Sequence, residues 1–251
     1  MSGIHLTGAK TPEGMRLFAV GDVHGRLDLL EAMLARIEAN LSARPPADWR
    51  IVLLGDYIDR GPDSSGVLEL LRRRRAADPR LVLLCGNHDA GLLSFLARPA
   101  THTLFAGHGG RDTALSYGVE ADFGSEPLAQ AARDALLAAI PREHLDLLRS
   151  LALSASFGDF FFCHAGIRPG VPLEAQEADD LLWIRGAFLG HDGLHPKLVV
   201  HGHTPNPEAE LLPNRVNLDT GAFATGRLTA LVMDGAAKEL MTVEGRPIAW
   251  R

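Results

Sequence analysis

Six side chains of the kinds that bind divalent cations follow short apolar runs in this sequence. Asp22 and His24 come after residues 17–20, Asp56 after 51–54, Asn87 after 81–84, His164 after 160–163 and His203 after 198–200. Asp22 and His24 are two positions apart, so in an extended loop both fall on one side and can chelate one ion. Carboxylate, imidazole and amide donors together suit Mn²⁺, Fe or Zn²⁺, and not a thiolate site or an all-oxygen Ca²⁺ cage. Six donors exceed the needs of one tetrahedral ion. A carboxylate from the middle strand can bridge two ions ~3.5–4 Å apart, which is the geometry for in-line attack on phosphorus. Alone, an Asp-x-His in a loop is usually a turn or a cap, and a buried histidine after a strand is usually a satisfied core residue. The repetition of one arrangement in five places makes the set significant. Competing catalytic templates are missing: there is no GxxxxGK[ST], GxSxG, HExxH or strand-borne GxGxxG.

The elements that must position these groups are readable nearby. After the first cluster, Leu30, Met33, Leu34 and Ile37 repeat at helical spacing. After the second, Asp63 or Ser64 can cap a helix carrying Val67, Leu68, Leu70 and Leu71. A third short helix follows Asn87. Strand, polar loop and helix, three times in succession, predict βαβ units whose loops converge at the carboxyl ends of the strands. Residues 98–150 break the rhythm, with a glycine cluster at 107–110, a turn at Ser116-Tyr117-Gly118 and helical stretches near 128–140 and 144–151. We read them as a helical insertion or cap in one domain covering 1–251. Runs 216–219 and 228–233 are expected to be closing antiparallel strands.

Composition narrows the class. The chain has 251 residues, 46% of them hydrophobic, and a net charge of −6. That excludes disorder throughout, and the acidic balance argues against a nucleic-acid binder held by counterion release. No apolar run nears the ~18–20 residues of a membrane helix, and the first residues lack the apolar core of a secretory signal. Cys85 and Cys163 lie within apolar runs without CxxC spacing, the pattern of buried reduced thiols in a cytoplasmic protein. The basic run 72–75 suits the solvated last turn of a helix.

Several motifs carry a family resemblance. GDVHG (21–25), GDYIDRG (55–61), GNHD (86–89), FCHAG (162–166) and GHTP (202–205) resemble the phosphoprotein phosphatase branch of the calcineurin-like metallophosphoesterases. LLWIR (181–185), NLDTGAFATGRLTAL (217–231) and GGRDTALSYG (109–118) are similar to its bacterial and bacteriophage lambda members. The resemblance implies an α/β fold with a central mixed β-sandwich flanked by helices, and two divalent ions, Mn²⁺ foremost with Fe or Zn²⁺ as alternatives. It implies that Asp22, His24 and Asp56 hold the first ion, and that Asp56, Asn87, His164 and His203 hold the second. Arg60, Arg185 and Asn87 would bind the substrate phosphate, a task that suits the guanidinium fork. His88 would be the general acid and Asp59 the group that orients it.

The implied activity is hydrolysis of phosphate monoesters by direct attack of a metal-activated water, with no phosphoenzyme. The expected enzyme is a serine/threonine or dual-specificity protein phosphatase acting on a phosphorylated protein or small phosphoester, without nucleic-acid or membrane partners. Two features depart from the wider pattern. Pro205 stands where many calcineurin-like enzymes have a second histidine, which leaves the first ion fewer protein ligands. Asp89 replaces the glutamate common among protein phosphatases and also occurs in bacterial diadenosine tetraphosphatases, whose second motif usually lacks the aspartate present here as Asp59. Symmetrical dinucleoside polyphosphate hydrolysis is therefore the alternative, and a non-catalytic phosphoprotein-binding module a remote one. His201, one peptide from the ligand loop, is expected to be either a direct participant or a packed neighbour.

Overall fold

The computed structural model describes residues 3–248. The first part of the chain runs β1 (Met15–Val20), α1 (Leu27–Ala43), β2 (Asp48–Leu53), α2 (Ser64–Ala77), β3 (Leu81–Leu83) and α3 (Asn87–Ala97). β1 pairs in parallel with β2, and β2 with β3, as the βαβ rhythm requires. Asp63 caps α2, its Oδ1 accepting from Gly66 N at 2.7 Å. The arginines ending α2 are solvated, with Arg72 and Arg73 both paired to Glu69.

Four helices then form the insertion: α4 (Leu104–Gly107), α5 (Gly110–Ser116), α6 (Glu126–Ala139) and α7 (Arg142–Arg149). The first two are too short to display a hydrophobic period, so the sequence showed only turns there. Phe105 and Phe123 of the insertion pack against Phe95 of α3, with ring centroids 5.1 and 5.4 Å from it.

The chain continues through β4 (Ser154–Phe157), β5 (Phe160–Cys163), α8 (Ala178–Trp183), α9 (Gly186–Leu189), β6 (Leu198–His201), β7 (Glu210–Leu211), β8 (Arg215–Asn217), α10 (Ala222–Thr225), β9 (Arg227–Asp234) and β10 (Ala237–Glu244). Two five-stranded sheets result, ordered β10-β9-β1-β2-β3 and β4-β5-β6-β8-β7. The closing strands divide against expectation. β9 is antiparallel to β1, but β8 runs parallel to β6, because the intervening β7 pairs antiparallel to β8 and reverses the chain once more. β10 has an exposed, charge-rich outer row that hides its alternation.

Period-2 alternation sorts the strand side chains between layers. Phe18 and Val20 of β1 face the helices, while Leu17 and Ala19 face the second sheet. Phe160 and Phe162 of β5 meet them in the inter-sheet core, and Phe161 and Cys163 turn outward beneath α8 and α9. The central strands β1, β5, β6 and β8 thus bury both faces, and the polar loops of the two sheets gather along one seam. Among the described residues no helix is long and apolar enough to cross a membrane.

Candidate metal centre

The loops after β1, β2, β3, β5 and β6 meet at a cleft of about 240 Å³. Asp22, His24, Asp56, Asn87, His88, Arg60, Arg185 and His203 line it, and His164 lies beneath, fully buried. All ten side chains singled out from the sequence are brought together: Asp59 stands behind His88, its Oδ2 accepting from His88 Nδ1 at 2.7 Å.

Local backbone geometry marks the same place. Among the described residues, the non-glycine positions with positive φ are His24 (44°), Asp56 (52°), Asp59 (71°), Arg60 (69°) and His203 (66°), every one a candidate site residue. Left-handed conformations cost non-glycine residues about 1 kcal/mol or more, and they persist where surrounding structure overdetermines them. Two glycines make the close approaches possible. A Cβ on Gly86 would collide with Asp56, and one on Gly202 with Asp22.

The donor inventory fits two cations. His24 spends its Nδ1–H on Ile58 O (2.8 Å) and His164 its Nδ1–H on Leu54 O (3.0 Å), so in each ring Nε2 presents a lone pair. His24 Nε2 faces Asp56 Oδ2 at 3.4 Å, and His164 Nε2 faces Asp56 Oδ1 at 3.5 Å. Each oxygen of one carboxylate therefore meets a different imidazole lone pair, acceptor against acceptor, an arrangement that a cation in each gap would reconcile. Asn87 Oδ1 adds a further acceptor, 2.8 Å from His164 Nε2 and 2.9 Å from His203 Nδ1. Asp22 Oδ1 is buried without a partner, while its Oδ2 accepts from His203 N at 3.0 Å. Two groups of candidate donors each gather their atoms within 4.8 Å, His24–Asp56–His88 and Asp22–Asp56–His164, and Asp56 belongs to both.

Burial holds His24 and His164 neutral, the state a metal ligand needs, and depresses His203 to about 3. Asp56 is different. Burial alone would raise it, but the surrounding His164, His88 and His24 rings and the His88 amide together hold it well below the usual carboxylate range. Asp22 moves the other way, raised by burial and by the Asp219 and Asp56 carboxylates. His88 is raised because Asp56 and Asp59 outweigh the effect of its burial. Its Nε2 is left pointing at Arg60 Nη2, 3.0 Å away. Arg60 also donates Nη1 to His24 Nε2 (3.2 Å) and lies over the Phe223 ring at 4.7 Å, so its guanidinium is stationed above the donor set. Arg185 is exposed and donates to His203 O at 3.2 Å.

The calcineurin-like phosphoesterase profile matches residues 15–230. The chain belongs to that family. With its two ligand clusters, this calcineurin-like phosphoesterase is a metal-dependent hydrolase, against the remote alternative of a binding module with a decayed centre. It is 27% identical over 237 residues to the bis(5′-nucleosyl)-tetraphosphatase PrpE [asymmetrical] of Anoxybacillus flavithermus, covering 84% of this chain and 88% of that one. It is 26% identical over 221 residues to serine/threonine-protein phosphatase 2 of Salmonella typhimurium, covering 85% and 90%. In fold it is similar to a crystal structure described as a candidate diadenosine tetraphosphatase, with a TM-score of 0.65, 24% identity, and coverage of 95% and 99%.

Several residues of this phosphoesterase's site were not legible in its sequence. Asp219 lines the cleft, raised to about 6 by burial and Asp56 against the pull of the Gly221 amide. It lies in the 217–231 motif, yet no spacing distinguishes it from a turn aspartate. Asp89, noted only as a departure, accepts from Asp56 N (2.9 Å), Gly86 N (2.8 Å) and Tyr57 N (3.0 Å) and so ties the loops after β2 and β3 together. His201 is fully buried, its Nδ1 3.0 Å from Gly202 O and its ring edge-on to Phe188, which places it as a packed neighbour of the ligand loop. Cys85 and Cys163 are free and buried, and burial raises both thiols, which disfavours a thiolate nucleophile.

Proposed function

We propose that this phosphoesterase hydrolyses a phosphoanhydride bond of bis(5′-nucleosyl) polyphosphates, cleaving asymmetrically, with Mn²⁺ as the first-choice metal. The observation that carries the reading is Trp183 at the lip of the cleft. The residue is 43% exposed and two positions from Arg185, and its ring stands edge-on to His203 at 6.2 Å. An exposed aromatic face beside a phosphate-binding arginine suits a nucleobase that stacks while its phosphate chain enters the cleft. The names of the PrpE relatives support the same substrate class, and asymmetrical cleavage in place of the symmetrical alternative expected from the sequence. A serine/threonine protein phosphatase, the leading expectation from sequence, is the second reading. Asp59 and the Salmonella relative favour it.

In either case the residues take the same parts. Asp22, His24 and Asp56 would hold one divalent ion, and Asp56, Asn87, His164 and His203 the other. Bound there, the pair supplies water activation and neutralises phosphoryl charge. Arg60 and Arg185, joined by the Asn87 amide, grip the phosphoryl oxygens from the open side. Asp59 fixes the His88 ring through Nδ1, and Nε2, which faces Arg60 Nη2 here, would carry the proton for the departing oxygen once Arg60 turns to the phosphate.

Product analysis after incubation with diadenosine tetraphosphate and Mn²⁺ tests the proposal. ATP plus AMP in equal amounts is expected, and ADP alone would mean symmetrical cleavage. A higher kcat/KM on phosphopeptides than on the dinucleotide would return the protein to the phosphatase reading. Trp183→Ala is expected to raise KM for the dinucleotide about tenfold more than KM for p-nitrophenyl phosphate.

A further inference from the structure

One hydroxyl of the insertion reaches the side chain behind His88. Thr113 lies on α5, fully buried, and 54 residues from Asp59 in sequence. Its Oγ1 donates to Asp59 Oδ1 at 2.6 Å and accepts from Asp59 N at 2.9 Å. Ser64 Oγ, 3.1 Å from Thr113 Oγ1, also accepts from Asp59 N at 3.1 Å. A hydroxyl has one proton and two lone pairs. An Asp59 carboxylate must accept, so the Thr113 proton goes to Oδ1, and the Ser64 hydroxyl and the Asp59 amide meet the lone pairs. The Asp59 carboxylate is thereby divided, Oδ1 to Thr113 and Oδ2 to His88 Nδ1. Asp59 itself sits at φ 71°, and its carboxylate is held by these two hydrogen bonds. The same insertion secures the next residue, because Arg60 N donates to Gly109 O.

We propose that Thr113 is a positioning residue for proton delivery. By fixing the plane of the Asp59 carboxylate it aims His88 Nε2 at the leaving oxygen, which makes the insertion part of the catalytic apparatus as well as a cover. This rests on the reading of His88 as the acid, so the test must separate the two. A general acid matters most when the leaving oxygen is strongly basic. Phenyl phosphate needs that proton more than p-nitrophenyl phosphate, whose phenolate departs readily.

The experiment measures kcat and KM on both aryl phosphates for the wild type, Thr113→Val, Thr113→Ser and His88→Asn, each loaded with Mn²⁺. For Thr113→Val the expected result is a loss in kcat about tenfold greater on phenyl than on p-nitrophenyl phosphate, with KM moving little. Thr113→Ser keeps the hydroxyl and should restore the wild-type ratio. His88→Asn should change the ratio at least as much as the valine variant. Equal losses on the two substrates in Thr113→Val, with His88→Asn still discriminating, overturn the role of Thr113 and leave the acid standing. No discrimination in His88→Asn overturns the acid itself. Should valine prevent folding, Thr113→Ala, which introduces no new contact, must show the same ratio, and its absence there overturns the proposal equally.

Discussion

The two sheets contribute unlike halves of the centre. Loops of the first deliver Asp22, His24, Asp56 and Asn87, oxygen-rich and followed by helices; loops of the second deliver two imidazoles, His164 and His203. The first half is tied internally, with Asp89 clasping three amides. The second half is tied mainly to its neighbour: His164 Nδ1 donates to Leu54 O, and His203 N donates to Asp22 Oδ2. The first sheet carries the proposed donors of one ion, but those of the other are drawn from both sheets. The inter-sheet core that registers Phe160 and Phe162 against Leu17 and Ala19 is therefore as much a part of the metal site as the ligands are.

The most severe way to break this division is at Asp56, the first-sheet carboxylate that faces an imidazole from each half, His24 and His164. Asp56→Ala removes the carboxylate facing both imidazoles, and it should lower kcat/KM by more than about 10³-fold. Metal analysis should find both ions lost, and retention of one would mean that the halves bind independently.

A subtler test sets the inter-sheet core against the insertion core. Phe162→Ala and Phe105→Ala should each destabilise by about 3–5 kcal/mol, since each empties a buried aromatic site. Denaturant titration reads that cost. Only Phe162→Ala should also weaken Mn²⁺ binding, measured calorimetrically on the folded protein. Equal metal affinity in the two variants would detach the seam from the site.

The smallest effect concerns the second sheet alone. Burial, with help from His191 and Arg215, depresses His195 to about 4. The unfolded chain then takes up this proton first, near the ordinary histidine value of about 6.5. The stability that His195 contributes is therefore complete above that pH and is lost as the pH falls from about 6.5 to about 4. The loss amounts to about 3 kcal/mol at most. His195→Phe keeps an aromatic ring against Phe188, 5.6 Å away in the native stack, and should flatten that part of the stability–pH curve measured by urea melts.

What the sequence disclosed follows the same division between the sheets. The candidate donors that gather at the cleft were legible because chemistry restricts such groups to few residue types and the strands announce where they emerge. The parallel part of the first sheet, β1 to β3, was legible because its strands are short apolar runs alternating with helices of clear period. β8 was misread because strand direction depends on a two-residue strand, β7, that leaves no pattern. Thr113, Asp89 and Asp219 were hidden for another reason: a threonine or aspartate that acts on a distant neighbour looks locally like any turn residue. The substrate is harder still, since the lip formed by Leu104, His108, Trp183 and Pro205 is assembled from separate stretches with no common motif.

The five left-handed residues of the centre bear on which ion it accepts. A flexible set of these donors would follow intrinsic affinity, under which copper outcompetes the other first-row divalent metals. A cradle whose backbone is already committed at His24, Asp56 and His203 resists remodelling around the geometry an intruder prefers. With the proposed ligands in such a frame, selection would pass from the softness of the donors to the stiffness of the backbone that presents them.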